Sequence, residues 1–229
     1  FSDSLGNTLL VGLTVAGLTV MTGVLLNVAL KRRRLPSGLD MALEVAALAP
    51  YALPPALIGL ALIALVNQPG PLGALYSSPL ALALAYMALG LPFALKGTEA
   101  ALRAVPLEME GSARLDGAGP AALLRRILWP LVAPEALVAG GLVFLIITRD
   151  VSAAALLHPP GFRLASQELY DLFHTGPAYL THALAVMIVA MNALAAVGVW
   201  TAVSVLRNRS RDPGPKDRRR RVSSTSCPQ

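Results

Sequence analysis

Long apolar stretches alternate with short polar ones along most of the chain. Five stretches are long enough to cross a membrane, since about 20 apolar residues span its hydrocarbon core. They cover residues 5–30, 42–66, 79–97, 131–148 and 181–206. Backbone groups in lipid are satisfied only in helices or closed barrels, and the short alternating segments of a barrel do not occur. The pattern therefore predicts an all-α membrane protein with about five transmembrane helices.

The composition supports a membrane protein. Of the 229 residues, 55% are hydrophobic and 14% are charged, whereas a soluble domain usually carries about 25% charge. The formal net charge is +6, but Lys and Arg form short clusters between apolar stretches. This distribution is typical of membrane topology rather than of a nucleic-acid-binding surface, so we expect no nucleic-acid partner. The single cysteine, Cys227, excludes a disulfide within the chain.

The distribution of Lys and Arg predicts the orientation. Positive charge is concentrated in residues 31–34, in the loop at 100–130 and in the tail at 207–229, whereas residues 67–78 carry none and 149–180 only two Arg. Cytoplasmic loops are rich in Lys and Arg, so the N-terminus is expected outside and the C-terminus in the cytoplasm. Residues 1–206 then form the transmembrane domain, and the Pro-, Arg- and Ser-rich tail is expected to be disordered.

The cytoplasmic loop at 100–130 has local signals for two short helices. Pro106 suits a first helical turn, and Glu108 and Glu110 follow where the helix dipole favours negative charge. Gly117 allows a sharp turn, and Pro120 begins a second helix. The pattern predicts a hairpin that presents a rigid surface to a soluble partner. The alternative is an amphipathic linker that rests on the lipid headgroups.

This loop resembles the EAA loop of the membrane subunits of binding-protein-dependent ABC importers. The signature of that family is Glu-Ala-Ala, three residues, Gly, nine residues, and then Ile, any residue, Leu and Pro. The second Ala corresponds to Ala113, the Gly to Gly117, and the ending to Ile127 and Pro130. Pro130 also marks the expected start of the fourth membrane helix.

The chain departs from the signature at three positions. Gly111 stands where the signature has Glu, Ser112 replaces the first Ala, and Trp129 replaces Leu. An acidic contact is then expected from Glu110 or Glu108 instead.

The resemblance implies the permease subunit of an ATP-driven importer, with the MetI-like fold, in the bacterial inner membrane. The EAA loop would dock on a separate ATPase subunit, which binds ATP and Mg, because this chain lacks the G-x-x-x-x-G-K-[ST] phosphate loop. We expect no catalytic, cofactor-binding or metal-binding residues in this chain. The expected ATPase-coupling residues are Glu108, Glu110, Gly111, Ala113, Arg114, Asp116, Gly117, Ile127 and Pro130.

Residues 149–176 resemble the outer segment of ferric-iron-type permeases. The matching residues are Pro159, Pro160, Gly161, Tyr170, His174 and Gly176. The resemblance implies Fe(III), delivered by a periplasmic binding protein, as the substrate, although thiamine and aminoethylphosphonate permeases share much of the pattern and a polyamine is a further alternative. Four polar residues are expected to contact the binding protein: Arg149, Arg163, Glu168 and Asp171.

Many permeases of this kind are single chains with two halves, each with its own EAA loop. This chain contains one such loop and begins at Phe1, so it resembles the second half of a two-half permease. A one-half subunit that forms a homodimer is the alternative. The expected partners are therefore two ATPase subunits, a second permease half, the periplasmic binding protein and the lipid bilayer.

Polar residues and prolines inside the membrane are candidates for the translocation path. Asn192 lies in the middle of the fifth stretch, where a hydrogen bond between helices is the alternative role. Pro54 and Pro55 kink the second stretch or free carbonyls toward a cavity, and packing explains them equally well.

Two other functions, metal binding and ion-coupled transport, have less support in the sequence. The spacing of the three histidines, His158, His174 and His182, matches no compact metal-ligand motif, so no metal site is expected. An ion-coupled secondary transporter is an alternative of a different class, which would need carboxylates near the middle of the membrane. Every acidic residue here falls near a helix end or in a loop.

Overall fold

The protein is all-helical in a computed structural model that describes residues 1–32, 37–67, 73–76, 78–157 and 161–211. This confirms the predicted fold class. The helices are α1 (Ser2–Arg32), α2 (Ser37–Leu48), α3 (Pro55–Val66), α4 (Gly73–Tyr76), α5 (Pro79–Arg103), α6 (Leu107–Leu115), α7 (Pro120–Leu123), α8 (Trp129–Arg149), α9 (Ser152–Leu157), α10 (Ala165–Thr175) and α11 (Ala178–Arg211).

Four helices in the described part of the chain are long and apolar enough to cross a membrane. They cover Ser2–Leu30, Pro79–Arg103, Pro120–Arg149 and Ala178–Asn208. A fifth crossing is present if the bent pair formed by α2 and α3 counts as one span. The count of four or five agrees with the predicted number of transmembrane helices.

The second apolar stretch is not one continuous helix. Met41–Ala52 and Pro55–Val66 meet at an angle of 114°. Pro50 lies in the short 3-10 turn that ends the first part, and Leu53, before Pro54, is extended with φ −101° and ψ 136°. A residue that precedes proline is pushed out of the helical region, and proline has no N–H for a helical hydrogen bond. The prolines therefore break the helix rather than only kink it.

The fourth membrane helix begins earlier than the sequence pattern indicates. α7 continues through a π-helical turn at Leu124–Leu128 into α8, so one helical unit runs from Pro120 to Arg149. The N–H of Trp129 donates to the carbonyl of Leu124, five residues back. Pro130 follows this change of register and lies within the helical unit, so it does not mark the helix start. The second arm of the hairpin is thus the first part of the membrane helix.

The last helix also extends beyond its predicted end. α11 continues to Arg211, so residues 207–211 are helical and do not belong to a disordered tail. Arg is a good helix former, and Arg207 gains an ion-pair partner in Glu135 at 3.2 Å. The rest of the expected tail, residues 212–229, lies outside the described residues.

Small residues let the central helices approach closely. A Cβ atom added at Gly90 of α5 would lie 2.6 Å from Cγ1 of Val143, and one at Gly97 would lie 2.7 Å from Cβ of Ala139. Such close approach is typical of helix pairs in membranes. In contrast, the apolar window of α11 is only 17% buried, against 39% to 50% for the other three long helices. The packed centre of the chain is therefore made by α1, α5 and α8.

A candidate coupling hairpin and a membrane cavity

The first arm of the predicted hairpin is α6. After α5 ends, the N–H of Met109 donates to the carbonyl of Pro106 at 3.2 Å, and the helix continues to Leu115. Glu108 and Glu110 both fall in its first turn, where they complement the positive end of the helix dipole. The predicted first helix of the loop therefore lies where the local signals place it.

Gly117 makes the turn between the two arms. Its φ is +83°, and the N–H of Ala118 donates to the carbonyl of Ala113 at 2.9 Å. This bond spans five residues and, with a glycine in the left-handed conformation, forms a Schellman C-cap. A Cβ atom at Gly117 would meet nothing within 4 Å. Glycine is therefore needed here for its backbone conformation and not for space.

The two glutamates of α6 have different environments. Glu110 is only 4% exposed and faces the protein, whereas Glu108 is exposed. Gly111, at the signature Glu position, is exposed as well, and a Cβ there would find open space within 4 Å. A partner docking on the hairpin would thus reach Glu108 and position 111 directly, but not Glu110.

The other candidate coupling residues also differ in how far their side chains are exposed. Asp116 and Pro130 are exposed, and Ala113 and Ile127 are half-buried. Arg114 belongs to α6, and its side chain lies outside the described part of the structure.

Two apolar side chains of the hairpin were not among the sequence candidates. Leu115 is 91% exposed and Met109 is 45% exposed. Leu115 follows Glu108 and Gly111 at spacings of seven and four residues, so the three lie on one face of the helix. Leu115 directly precedes the turn, which is the sequence signal that could have identified it. We call Glu108, Gly111 and Leu115 the hairpin face.

The base of the hairpin is fixed to the membrane helices. Leu102 and Val105 before α6, and Leu128 and Val132 after it, are each no more than 5% exposed and share one apolar cluster with Val24 of α1. Because the second arm is continuous with α8, a displacement of the hairpin must also move α8. The arrangement is suited to transmit motion of the hairpin to the membrane helices.

A cavity of about 640 Å³ lies between the 3-10 turn, α5, α8 and the inner end of α11. Its volume is within the range of small-molecule sites. The aromatic rings of Tyr51 and Phe93 form part of its wall and meet edge to face with centroids 5.5 Å apart. The remaining lining residues are Leu48, Pro92, Lys96, Gly97, Glu135, Val138, Ala139, Leu142 and Arg207.

The charged groups at this cavity are paired across helices. Nζ of Lys96 lies 2.8 Å from Oε1 of Glu44 on α2 and 3.0 Å from Oε2 of Glu99 on its own helix. Arg207 of α11 lies 3.2 Å from Oε1 of Glu135 on α8. Acidic residues that the pattern placed near helix ends are thus paired with Lys96 and Arg207, two basic residues that line the cavity.

The candidate path residues lie elsewhere. Asn192 does not line the cavity, because its side chain is held between α8 and α11, where it accepts from Thr148 and donates to the carbonyl of Ile188. Pro54 and Pro55 follow the 3-10 turn that contributes Tyr51, and neither lines the cavity. The three residues affect the cavity only through the helices that they shape.

Asp150 organises the start of the outer segment. Its Oδ2 accepts from the N–H groups of Ala153 at 2.9 Å and Ala154 at 3.4 Å, which caps α9. Its backbone carbonyl accepts from the hydroxyl of Ser166 at 2.9 Å. Burial raises the pKa of the Asp150 carboxyl, and the bonds from the backbone N–H groups oppose this rise. The sequence pattern did not single out Asp150, since an N-cap aspartate is common in loops of any function.

Hydrogen bonds also connect the outer segment to α1. The hydroxyl of Thr8 accepts from the N–H of Ala165 at 2.8 Å and donates to the carbonyl of Ser4 at 2.7 Å. The buried Gln167 donates to the carbonyl of Ala154 at 2.7 Å. The outer segment is therefore a fixed part of the fold.

The candidate docking residues lie on this outer segment. Arg149, Arg163 and Asp171 are exposed, and Glu168 is largely covered, with 22% of its side chain exposed. Arg163 and Asp171 form an ion pair at 4.0 Å. Three of the four side chains are therefore exposed on this segment.

The histidines are separated in the described part of the chain. Nδ1 of His174 lies 2.8 Å from the carbonyl of Tyr170, and His182 is exposed on α11. His158, Pro159 and Pro160 lie outside the described residues. Among those described, no three His, Cys, Asp or Glu side chains come together to hold a metal ion.

Curated relatives match parts of the chain. A segment of 76 residues is 36% identical to the trehalose transport system permease protein SugB of Mycobacterium tuberculosis, covering 33% of this chain and 28% of that protein. A segment of 131 residues is 29% identical to the probable ABC transporter permease protein y4fN of Sinorhizobium fredii, covering 56% of this chain and 22% of that protein. The matched segments thus span less than a third of either relative.

Solved structures match nearly the whole fold. A structure of the MetNI methionine ABC transporter in inward facing conformations superposes with a TM-score of 0.68 at 18% identity, over 89% of this chain and 94% of that one. A bacterial alginate ABC transporter, in complex with an alginate pentasaccharide-bound periplasmic protein, gives a TM-score of 0.61 at 19% identity, over 92% and 78%. At these identities the comparison shows a shared fold.

The family described as "Binding-protein-dependent transport system inner membrane component" matches residues 11–207. The match contains the hairpin, the cavity and the outer segment. The expectation of a transport component rather than an enzyme is confirmed by this family. The chain belongs to the inner membrane components of binding-protein-dependent ABC transport systems.

Proposed function

We propose that the chain is one membrane half of an ATP-driven importer and that the hairpin face docks on a separate ATPase subunit. The observation that carries the proposal is an exposed face with an acid and a large apolar side chain, Glu108 and Leu115, on the first arm of a hairpin whose second arm is continuous with α8. A leucine that is 91% exposed at the tip of a cytoplasmic helix suits burial in a groove of a partner.

In the proposed mechanism, the ATPase subunits bind ATP and Mg and supply the energy, and this chain supplies the lever and part of the path. Closure of the ATPase dimer displaces the hairpin. The displacement moves the rigid unit from Pro120 to Arg149, which contributes Glu135, Val138 and Leu142 to the cavity wall. Movement of that wall changes access to the cavity, which is the step that import requires.

The docking proposal is tested with two matched variants of one helix in the purified transporter complex. Glu108→Gln, at an exposed position, is expected to weaken ATPase binding about tenfold, which is typical of a charged contact at an interface. Glu110→Gln removes the same charge two residues away at a buried position and is expected to leave ATPase binding nearly unchanged. A larger loss of binding in Glu110→Gln than in Glu108→Gln would reverse the assignment.

Leu115→Ser provides an independent test of the apolar contact. The substitution removes apolar surface that is exposed in the free chain, so the fold is expected to be unaffected while the ATPase dissociates more readily. The dissociation rate of the ATPase from the purified permease measures the effect. A normal dissociation rate would place the contact elsewhere on the loop.

A second permease half is the proposed membrane partner. The 131 residues matched in y4fN are 22% of that relative, so it has room for two segments of this chain's length. The length of that relative supports the proposal that the chain is one half of a two-half permease, which we propose to be the C-terminal half, and a homodimer is the alternative. Cross-linking of the chain expressed alone distinguishes them, since a homodimer forms without a second permease gene and the two-half form does not.

For the substrate, we propose Fe(III), on the resemblance of the outer segment to ferric-iron-type permeases. The names of the relatives and structures refer instead to trehalose, methionine and alginate and give iron no support. Calorimetry on the cognate periplasmic binding protein, against Fe(III), thiamine, aminoethylphosphonate and a polyamine, decides among the candidates. Family membership argues against the ion-coupled secondary transporter.

A further inference from the structure

Two ion pairs at the cavity connect central helices of the fold to helices at its edge. Lys96 joins α5 to Glu44 of α2, and Arg207 joins α11 to Glu135 of α8. In each pair one partner belongs to a central helix, α5 or α8, and the other belongs to a helix at the edge. We call these two pairs the cavity latch.

The edge helices leave much of their apolar surface exposed. α2 exposes Met41 at 70% and Val45 at 59%, and it ends at the proline-rich bend that separates it from α3. The apolar window of α11 is only 17% buried. Apolar surface that faces lipid does not drive helices together, so a directional contact such as an ion pair has a larger share in fixing the position of a helix.

The latch is located where motion of the hairpin would reach it. Glu135 lies on the same helical unit as Pro120, the start of the hairpin's second arm, 15 residues further along. Arg207 lies on a different helix, so movement of α8 changes the separation of the Arg207 guanidinium and the Glu135 carboxylate. The side chains are partly exposed, at 57% and 36%, so the pair can separate without leaving a fully buried charge.

We propose that the cavity latch holds α2 and α11 against α5 and α8 in the present conformation and must open for the cavity to change its access. The proposal rests on the proposed function, since it assigns a purpose to motion of α8. Lys96, Glu44, Glu135 and Arg207 are thus positioning residues that control access to the path and are not assigned a contact with the substrate.

The test uses labelling of the cavity wall, which requires neither ATP nor transport. A reporter cysteine replaces Val138, which lines the cavity and is 49% exposed, in a Cys227→Ser background that removes the single native cysteine. Reaction with a membrane-impermeant maleimide in inside-out vesicles then measures access from the cytoplasmic face. Glu135→Arg alone is expected to change the labelling rate about fivefold, because the free energy of one interhelical ion pair corresponds to a change of this size.

The charge exchange decides whether the pair itself is responsible. Glu135→Arg combined with Arg207→Glu restores opposite charges and is expected to restore the labelling rate of the reporter alone. Arg126→Gln is the matched control, because Arg126 is exposed on the second arm of the hairpin and does not line the cavity. Lys96→Gln is expected to change labelling in the same direction as Glu135→Arg.

Each outcome decides for or against the latch. Rescue by the exchange with an inert Arg126→Gln supports it, and an exchange no better than Glu135→Arg alone overturns it. An effect of Arg126→Gln equal to that of Lys96→Gln also overturns it, because the loss of any positive charge would then suffice. If the complex binds no ATPase, the proposed function fails while the labelling result remains interpretable.

Discussion

The hydroxyl of Thr148 donates a 2.8 Å hydrogen bond to Oδ1 of Asn192 and joins α8 to α11 inside the membrane. The amide of Asn192 donates to the carbonyl of Ile188 in its own helix at 3.0 Å. Both polar groups of Asn192 are therefore engaged within the protein. In this conformation the side chain acts as a link between two helices, the alternative role that the sequence left open beside substrate contact.

Asn192→Leu is expected to destabilise the packing of α11 by about 1 kcal/mol, the magnitude of a single hydrogen bond between membrane helices. Unfolding in detergent measures the loss. Because Thr148→Val removes the same bond, the double variant should lose less than the sum of the two single losses. A strictly additive result, together with a changed KM for transport, would assign Asn192 to the path instead.

The sequence predicts the membrane helices well because length and apolar content decide whether a segment can cross lipid. It does not predict where the fourth helix begins. Polar and proline residues at 120–130 look like a loop end, yet Leu123 and Leu128 are buried against the central helices and hold this segment in one helical unit with α8. Long-range packing of this kind is not readable from local pattern.

The same limit applies to the candidate sites. Glu108 and Glu110 are equivalent in the sequence, and only the orientation of α6 on its neighbours makes one exposed and the other buried. The cavity network is similar, since Glu44 and Lys96 are 52 positions apart and meet through the fold. The turn at Gly117, in contrast, was predictable, because a glycine between two helical segments is a local signal.

Gly97→Ala is expected to destabilise the contact between α5 and α8 by about 1–3 kcal/mol, the range for overpacking of a close contact. The new Cβ would lie 2.7 Å from Cβ of Ala139, and neither atom can move without its backbone. Gly17→Ala is the control, because a Cβ there meets nothing within 4 Å. Thermal unfolding in detergent should show a lower Tm for Gly97→Ala and an unchanged or higher Tm for Gly17→Ala.

Gly117→Val should leave the chain inserted in the membrane but uncouple ATP hydrolysis from transport. A β-branched residue at φ +83° costs about 1–2 kcal/mol and would force the turn to rearrange. Gly119→Ala is the matched control, since its φ is −70° and a Cβ there is unobstructed. Transport per ATP hydrolysed in proteoliposomes is the measurement. Normal import by Gly117→Val would refute the role of this turn in coupling.

Gly111→Glu restores the acid that the family signature has at this position. The side chain enters open space on the hairpin face, and replacing glycine within a helix stabilises α6 by about 0.5–1 kcal/mol. We expect tighter ATPase binding and an unchanged or higher transport rate, with Ser112→Glu, the neighbouring exposed position, as the control. Weaker binding in Gly111→Glu alone would show that the groove of this ATPase is adapted to glycine.

The outer segment should become less stable as the pH rises from the acidic range. Because burial raises the pKa of Asp150 above its usual 3.8, the folded segment binds a proton over a range where the unfolded segment has lost it. The unfolding free energy therefore falls as pH increases through the interval between 3.8 and the raised value. The hydrogen-exchange protection of backbone amides at 150–176 measures this change.

Two variants test whether Asp150 is responsible. Asp150→Asn keeps an acceptor for Ala153 and Ala154 but should abolish the pH dependence, whereas Asp171→Asn, at an exposed carboxylate, should retain it. An unchanged pH slope in Asp150→Asn would attribute the dependence to another group.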